Sequence, residues 1–239
     1  MAEHGPVALA WSGGKDSALT LSALRERGES VHCLLTTVTE GFERISMHGV
    51  RRVLLLAQAE AAGLPLVEVR IPQSCTNEIY EQRMGAAVRS LAAQGVRRFA
   101  FGDLFLEDVR AYREEQLGRA GLSAVFPLFG SDTGLLARSF IARGYRAILV
   151  TVDPRKLPPE FVGRDYDASL LQDLPAGVDP CGERGEFHSF VWDGPVFAGP
   201  VAVQRGGAVM RDGLWFQDLV PGPAQGRRAR ADRAGEGLE

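Results

Sequence analysis

A short loop near the start of the sequence has the residue types that bind a phosphate group. It consists of Ser12, Gly13, Gly14, Lys15, Asp16 and Ser17. Two adjacent glycines let the backbone approach an anion closely, the serine hydroxyls donate hydrogen bonds, and the lysine supplies a mobile positive charge. A Walker A loop requires Ser or Thr after its lysine, and Asp16 stands there instead. The loop therefore predicts a phosphate site with a different geometry.

The elements around this loop place it at the edge of a predicted sheet. Val7–Trp11 is a short apolar run typical of a strand, and residues 17–27 carry leucines at helical spacing. The first N–H groups of a helix have no internal partners, so the order strand, loop, helix predicts an anion site at the helix start. Asp16 either helps to hold a Mg²⁺ ion there or interacts favourably with the helix dipole.

Strands and helices alternate over the first 152 residues. Further strands are predicted at residues 31–38, 66–71, 98–102, 124–128 and 146–152. Helices are predicted at residues 50–62, 77–93, 107–119 and 134–142. This alternation predicts an α/β fold with a doubly wound, Rossmann-like sheet of five or six parallel strands and covering helices. Residues 1–152 form the first predicted domain.

The composition changes after residue 152. Five prolines interrupt the chain, at positions 154, 158, 159, 175 and 180. Strands are predicted at residues 187–192 and 196–203, joined by a turn at Asp193-Gly194-Pro195. We expect residues 153–220 to form a smaller C-terminal subdomain packed against the sheet. Residues 221–239 have almost no large apolar side chains and four close arginines, which predicts a disordered, solvated tail.

The overall composition argues against several classes of protein. The formal net charge of -3 gives no strong attraction to nucleic acid or to a membrane surface. Cys33, Cys75 and Cys181 are far apart and form no CxxC pair, which argues against a disulfide framework and a zinc site. The first apolar stretch is too short for a signal peptide or a membrane span. We therefore expect a cytoplasmic protein, and the sequence leaves its oligomeric state open, a homodimer included.

Two further stretches carry charged residues where doubly wound folds bind ligands, at strand ends or in the irregular segment that follows. They are FGDLFLEDVRAYREEQL, residues 101–117, and DPCGERGEFHSFVWDGPVF, residues 179–197. Together with SGGKDS they resemble the diphthine–ammonia ligases and their bacterial relatives, a family of the ATP pyrophosphatase superfamily. The resemblance covers most of residues 6–200. It implies a HUP-type fold in which residues 1–152 bind ATP.

The resemblance also implies an amide-forming reaction. In this family ATP, with Mg²⁺, adenylates a carboxylate and pyrophosphate leaves, after which ammonia or another amine displaces AMP. The carboxylate belongs to a small molecule or to a protein. Lys15 and the loop amides are expected to stabilise the charge on the leaving pyrophosphate.

Residues 101–117 supply the first group of implied site residues. Gly102 is expected to leave room for the nucleotide, and Asp103 to bind a metal or the ribose, with a helix cap as the alternative for Asp103. Arg110 shares a predicted helix face with Arg113 and is the expected contact to a phosphate or carboxylate. Ordinary surface ion pairs are the alternative for this face.

The pattern Gly-Glu-x-Gly-Glu at residues 182–186 supplies the second group. Glu183 and Glu186 are expected to recognise an amine, an ammonium ion or a metal, with an exposed turn as the alternative. The sequence departs from the ligases at Arg184, where they commonly carry Gly, and at His188, where they carry Glu. These departures leave the identity of the acceptor open. His188 is either a proton-transfer group or a structural residue.

Met47 and His48 follow the second strand, where related folds hold the adenine. Met47 is expected to pack on the base and His48 to reach a phosphate, and a plain loop is the alternative. Cys181 has no defined basic partner, which favours an inert thiol. The implied catalytic residues are Lys15, Asp103, Glu183 and Glu186. The implied metal ligands are Asp16 and Asp103.

Two alternative functions use the same loop. A tRNA-modifying or sulfur-transferring enzyme would need a basic surface for RNA and paired cysteines, and the part of the sequence expected to fold has neither. A module that senses ATP or AMP without turnover would not require the acidic loop at residues 182–186. The sequence therefore favours an ATP-dependent carbon–nitrogen ligase.

Overall fold

The computed structural model describes residues 5–45 and 48–223. The predictions for Met47 and for residues 224–239 of the tail fall outside this part of the chain. Within it, the protein forms two sheets and six α-helices.

The central sheet has the doubly wound arrangement that the sequence predicts. Its five parallel strands are β1 (Val7–Ala10), β2 (Val31–Thr39), β4 (Leu66–Ile71), β5 (Arg98–Ala100) and β6 (Ser123–Val125). They run in the order β4-β2-β1-β5-β6, and the short β3 (Arg44–Ile45) pairs antiparallel with the end of β2. The chain builds outward from β1 to β4 and then continues with β5 on the other side of β1. The α/β, Rossmann-like fold is confirmed, with a switch point beside β1.

Helices cover both faces of this sheet. The helices of the described residues are α1 (Lys15–Glu26), α2 (Arg52–Ala62), α3 (Asn77–Ala93), α4 (Glu107–Gly118), α5 (Thr133–Ala142) and α6 (Ala168–Asp173), with a 3₁₀ turn at Pro159–Phe161. Successive residues of a strand point to opposite faces. Val7 and Leu9 therefore join the core that contains α1 and α2, whereas Ala8 joins the core with α3 and α4. Among the described residues, no helix combines the length and the apolar composition needed to cross a bilayer.

The start of α1 has no side-chain cap. Thr76, Asp132 and Asp167 each accept a backbone N–H at the start of α3, α5 and α6. Gly14 occupies the corresponding position of α1 and has no side chain with which to do so. The first N–H groups of α1 are therefore left for partners outside the helix.

A second, antiparallel sheet follows. It contains β7 (Arg146–Val152), β8 (Phe187–Asp193), β9 (Val203–Arg211) and β10 (Leu214–Pro221), in the order β8-β7-β10-β9. Residues 146–152 do form the predicted strand, but β7 pairs with β8 and β10 and not with the central sheet. β7 is buried along almost its whole length, so its apolar run looks the same as that of a buried parallel strand.

The end of the second sheet also differs from the prediction. The strand expected at residues 196–203 is irregular up to residue 202, and the β9–β10 hairpin was not predicted. Asp212 and Gly213 form its turn with positive φ angles of 50° and 78°, which an Asp-Gly pair adopts readily. Most of β9 is exposed and its sequence includes two adjacent glycines, so it lacks the apolar alternation that marks a strand.

The phosphate loop is bonded directly to the second sheet. Val191 of β8 donates its backbone N–H to the Gly13 carbonyl at 2.9 Å. The backbone N–H of Lys15 donates to the Ser189 hydroxyl, also on β8, at 3.2 Å. The shape of the loop therefore depends on residues about 175 positions away along the chain.

Gln58 of α2 completes this connection from below the loop. Its side chain is fully buried. Its Nε2 donates to the carbonyls of Gly13 at 3.0 Å and Val191 at 2.6 Å, and its Oε1 accepts the Trp11 indole N–H at 2.9 Å. One amide group thus joins the first strand, the loop and the second sheet.

We predict that Gln58→Leu destabilises the protein. The change leaves the buried Trp11 N–H unpaired and removes a donor from two carbonyls, and a buried unsatisfied polar group costs about 1–3 kcal/mol. Urea unfolding at pH 7 measures the loss. Gln172→Leu, at an exposed position of α6, is the matched control and should change the free energy of unfolding by less than about 0.5 kcal/mol. Equal effects of the two substitutions would contradict the role of Gln58.

Candidate active site

One cleft of about 790 Å³ opens at the carboxyl ends of β1, β2 and β5. This volume lies within the range of small-molecule sites. The polar side chains that line one end are Ser12, Asp16, Ser17, His48, Asp103, Glu183 and His188. The other end is mostly apolar, with Tyr80, Met84 and Val88 of α3, Tyr112 of α4 and Phe101 after β5. The polar residues Glu81, Arg89 and Gln116 of the two helices also line the cleft. The cleft therefore combines a charged end with an apolar end.

The apolar end lies between two loosely packed helices. Leu91 is the buried residue of α3, and Leu117 is that of α4. Tyr80 and Met84 of α3 are only half-buried, and Tyr112 of α4 is 45% exposed. The two helices thus leave a crevice that reaches down to the sheet.

The two loop glycines are both required by packing. Gly13 has a φ of +77°, and a Cβ atom there would lie 2.6 Å from Gln58 Oε1. A Cβ atom on Gly14 would lie 3.0 Å from the Ser189 carbonyl oxygen. Ser12 accepts the Gly14 N–H at 3.3 Å, so the loop is already folded around the space at the helix start.

The charged residues of the loop point in different directions. Asp16 and Ser17 line the cleft, but Lys15 is not among the lining residues. The Lys15 ammonium is 2% exposed and donates to both Asp16 carboxylate oxygens at 2.8 Å and to the Cys181 carbonyl. Burial acts to lower the pKa of Lys15, but the Asp16 carboxylate together with Cys181 and Glu183 raises that pKa above its ordinary value. Lys15 is therefore protonated and directed at the segment of residues 179–186.

Gly102 and Asp103 flank the same end of the cleft. A Cβ atom on Gly102 would lie 3.0 Å from the Asp16 carbonyl carbon, so this glycine makes room for the first turn of α1. Asp103 forms an ion pair with Arg113 Nε at 2.8 Å, and the Arg113 guanidinium lies 4.2 Å from the centre of the Phe101 ring. Asp103 and Arg113 both line the cleft.

Arg110, the expected phosphate contact, is not brought to the cleft. Its guanidinium pairs with Glu114 at 2.9 Å and lies over the Phe129 ring at 4.6 Å. Arg113, one turn further along α4, takes the position in the cleft instead. The predicted helix face contained both residues, and the contact of either with a phosphate or carboxylate stays a prediction.

Two carboxylates hold the segment of residues 179–186 in shape. Glu186 is 3% exposed and accepts the backbone N–H groups of Asp179 and Arg184, each at 3.0 Å. Asp179 accepts the Cys181 N–H at 2.7 Å and the Thr133 hydroxyl at 2.9 Å. The structure thus directs Glu186 into the segment and not into the cleft.

Glu183 is the carboxylate that this segment presents to the cleft. Its Oε2 accepts the backbone N–H of Leu104 at 3.2 Å. Burial raises the pKa of Glu183 to about 7, and the charge of Asp16 adds to this rise while Lys15 opposes it. A carboxyl that titrates near neutral pH can accept and release a proton under physiological conditions.

Two stacked imidazoles form the wall beside the loop. The rings of His48 and His188 lie 4.3 Å apart at an angle of 23°. Burial lowers the pKa of His188 to about 4 and that of His48 well below its ordinary value, and the Lys15 charge contributes to both shifts. Both rings are neutral at pH 7. His48 Nδ1 is buried and has no hydrogen-bond partner in the described part of the chain.

The Cys181 thiol in the segment of residues 179–186 is inert because it is buried. Burial raises the pKa of Cys181 to about 12, and the thiol contacts the Thr133 carbonyl at 3.4 Å. The thiolate, which is the reactive form of cysteine, is therefore scarce at pH 7.

Several residues that shape the site were not predicted. Gln58 and Ser189 fix the loop, and Asp179 fixes the segment that carries Glu183. Asp179 stands at the start of the charged stretch of residues 179–197, so its position was a usable signal. Gln58 lies in an unremarkable helical sequence and carries no such signal.

Comparison with known families decides where the chain belongs. A family model described as the diphthamide synthase N-terminal domain matches residues 5–124, and the model for the C-terminal domain matches residues 132–218. The chain belongs to the diphthamide synthase family. The diphthine–ammonia ligases of Mus musculus and Rattus norvegicus are 25% and 24% identical to it over 90% of this chain and 88% of their own length.

The cleft of this diphthamide synthase family member uses both matched regions. The loop at residues 12–17 and Asp103 lie in the N-terminal match, and Glu183 lies in the C-terminal match. The C-terminal match begins just before α5 and includes β7. The division of the chain into functional units at residues 152 and 220 stays a prediction.

We predict that Glu183→Gln stabilises the protein at pH 8 but not at pH 5. The pKa of Glu183 is about 7 in the folded protein against an ordinary value of 4.5, so the folded state binds the proton more tightly. In the wild type, the stabilisation by this proton is present below pH 4.5 and is lost as the pH rises through 7. A neutral glutamine has no such loss, so the variant is the more stable protein at pH 8. We expect a gain of about 1–2 kcal/mol at pH 8, reduced from the full shift because the carboxyl is partly exposed.

Urea unfolding at both pH values measures this gain. Glu160→Gln, at an exposed position, is the control and should show no gain at either pH. A gain of equal size at pH 5 and pH 8 would show that Glu183 does not titrate in this range.

Proposed function

We propose that this protein is an ATP-dependent ligase that adenylates a carboxylate and then transfers ammonia or another amine to it. The observation that carries the proposal is the joint presence of an uncapped phosphate loop and the Glu183 carboxyl in one cleft. The similarity to mammalian enzymes named diphthine–ammonia ligase supports the same reaction class. Activation of a carboxylate by ATP needs a site for the phosphates, and capture of the amine needs a group that binds ammonium and accepts its proton.

The nucleotide side of the proposal rests on the start of α1. Gly14 gives the start of α1 no side-chain cap, and the Ser189 hydroxyl of β8 accepts the N–H of Lys15. The hydroxyls of Ser12 and Ser17 lie beside this helix start, 3.4 Å from each other. Phosphate oxygens are natural acceptors for such donors, and the helix dipole favours their negative charge. These groups would hold the pyrophosphate while its bond to the adenylyl group breaks.

The cleft residues fit a Mg²⁺ ion that arrives with ATP. Such an ion uses one or two carboxylates together with phosphate oxygens and water. Asp16 and Asp103 both line the cleft. Within residues 5–45 and 48–223, no group of three or more His, Cys, Asp or Glu is arranged to hold a metal by itself. Mg²⁺ would supply positive charge that stabilises the leaving pyrophosphate.

The amine side of the proposal rests on Glu183. Asp16 and Asp103 each have a cationic side chain beside them, Lys15 and Arg113, and within the described ranges Glu183 has no ion pair of this kind. The Glu183 carboxylate accepts a neutral backbone N–H and retains the capacity to bind a cation. It would bind ammonium, accept one of its protons, and leave neutral ammonia to attack the acyl carbon, which expels AMP.

The expected activity is release of AMP and pyrophosphate that requires both ammonium and a carboxylate acceptor. Diphthine is the first acceptor to test, followed by other protein-borne and small carboxylates. We expect one AMP and one pyrophosphate for each amide formed. Tight ATP binding without release under any acceptor would instead indicate a sensor. Release driven by tRNA or a sulfur donor would indicate the tRNA-modifying alternative.

We predict that Glu183→Gln and Glu186→Gln act in different ways. Glu183→Gln removes the proton acceptor and should lower ammonium-dependent turnover by about 100-fold or more while ATP affinity changes little. Glu186→Gln disturbs two buried backbone hydrogen bonds and should lower the free energy of unfolding by about 1–3 kcal/mol. Steady-state kinetics and urea unfolding of both variants separate the effects. Full turnover in Glu183→Gln would remove it from the mechanism.

A further inference from the structure

The donors of Lys15 are all directed at acceptors within the protein. An ammonium group has three N–H donors and no acceptor. Three oxygen atoms face it: the two carboxylate oxygens of Asp16 and the carbonyl oxygen of Cys181. The Phe187 ring lies 5.9 Å away on the second sheet. A lysine in this position has no free donor to offer to a phosphate in the cleft.

The second lysine of the sequence also binds a backbone carbonyl of the segment that carries Glu183. Lys15 and Lys156 are its two lysines. Lys156 Nζ donates to the carbonyl of Arg184, three residues beyond the carbonyl that Lys15 holds. Both ammonium groups therefore bind backbone carbonyls of the segment that carries Glu183, one on each side of it.

We infer that Lys15 is a positioning residue that joins the phosphate loop to the Glu183 segment, and not a ligand of the nucleotide phosphates. Lys15 lies next to Asp16, which lines the cleft, and its second partner stands two residues before Glu183. It thereby fixes the distance between the place where the nucleotide is activated and the place where the amine is held. This inference rests on the proposed function for its catalytic meaning, but its structural content can be tested without turnover.

The first test is amine-specific labelling of the wild-type protein. Because the chain has two lysines, acetylation by a small reagent followed by mass spectrometry reports on each one separately. Lys156 is exposed and serves as the internal control. We expect Lys15 to be modified at least about tenfold more slowly than Lys156, with the same rate in the absence and presence of inorganic pyrophosphate. Rapid labelling of Lys15 that pyrophosphate suppresses would overturn the inference.

The second test measures pyrophosphate binding in a variant that keeps the local net charge. Removing Lys15 alone would leave the Asp16 carboxylate unpaired in the cleft, so the double variant Lys15→Gln/Asp16→Asn is compared with the wild type. Calorimetry with inorganic pyrophosphate should give an affinity within about threefold of the wild type, whereas loss of a charged phosphate contact would weaken binding about 10-fold to 100-fold. Gly14→Ala, which places a Cβ atom 3.0 Å from the Ser189 carbonyl, is the control that disturbs the loop itself and should weaken pyrophosphate binding. A loss of affinity in the folded double variant as large as a phosphate contact would contradict the inference.

A pH profile supplies a readout that a purely structural residue would not move. The groups that act on Glu183 are Lys15, Asp16, Asp103 and the backbone N–H of Leu104. Removing the Lys15 charge should move the rising limb of ammonium-dependent turnover to higher pH, because Lys15 favours the ionised carboxyl. An unchanged pH profile in an active Lys15→Gln variant would count against the coupling.

The outcomes distinguish this inference from the proposed function. Should the wild type release no AMP with any acceptor, the proposed function fails, and labelling together with pyrophosphate binding still decides the role of Lys15. Should Lys15→Gln not fold, labelling of the wild type decides it alone.

Discussion

The site depends on the hydrogen bond between the Gly13 carbonyl and the Val191 N–H, with the buried amide of Gln58 beside it. A glycine loop by itself has many conformations available, and its entropy would oppose any single shape. Here one side of the loop is fixed by a strand from the far end of the chain. The loop therefore takes its shape only when both sheets are in place, and the donors at the start of α1 are oriented before any ligand binds.

The same connection explains why the charged groups of the cleft behave differently from one another. The second sheet brings the segment of residues 179–186 against the start of α1, and the resulting burial sets their protonation. Lys15 stays charged because Asp16 adjoins it, whereas Glu183 has no such partner and titrates near neutral pH. His48 and His188 stay neutral because they are buried near the Lys15 charge. One structural junction thus determines the protonation state of these four groups.

The sequence predicted those parts of the fold that depend on local pattern. The parallel strands and their helices follow from apolar runs and helical spacing, and the phosphate loop follows from its glycines. The partners of β7 did not follow, because a buried strand has the same sequence pattern in either kind of sheet. The Asp212-Gly213 turn was a usable signal for the missed hairpin. The direction of Lys15 and the choice of Arg113 over Arg110 depend on residues distant in sequence, which no local pattern contains.

The loose packing of α3 and α4 makes the two ends of the cleft differ in rigidity. Each of these helices has one buried residue, and the other apolar side chains of α3 on this core are only partly buried. The charged end is instead fixed by the buried junction at Gly13, Gln58 and Val191. Local opening begins where burial is least, so the apolar end can change its width more readily than the charged end can change its geometry.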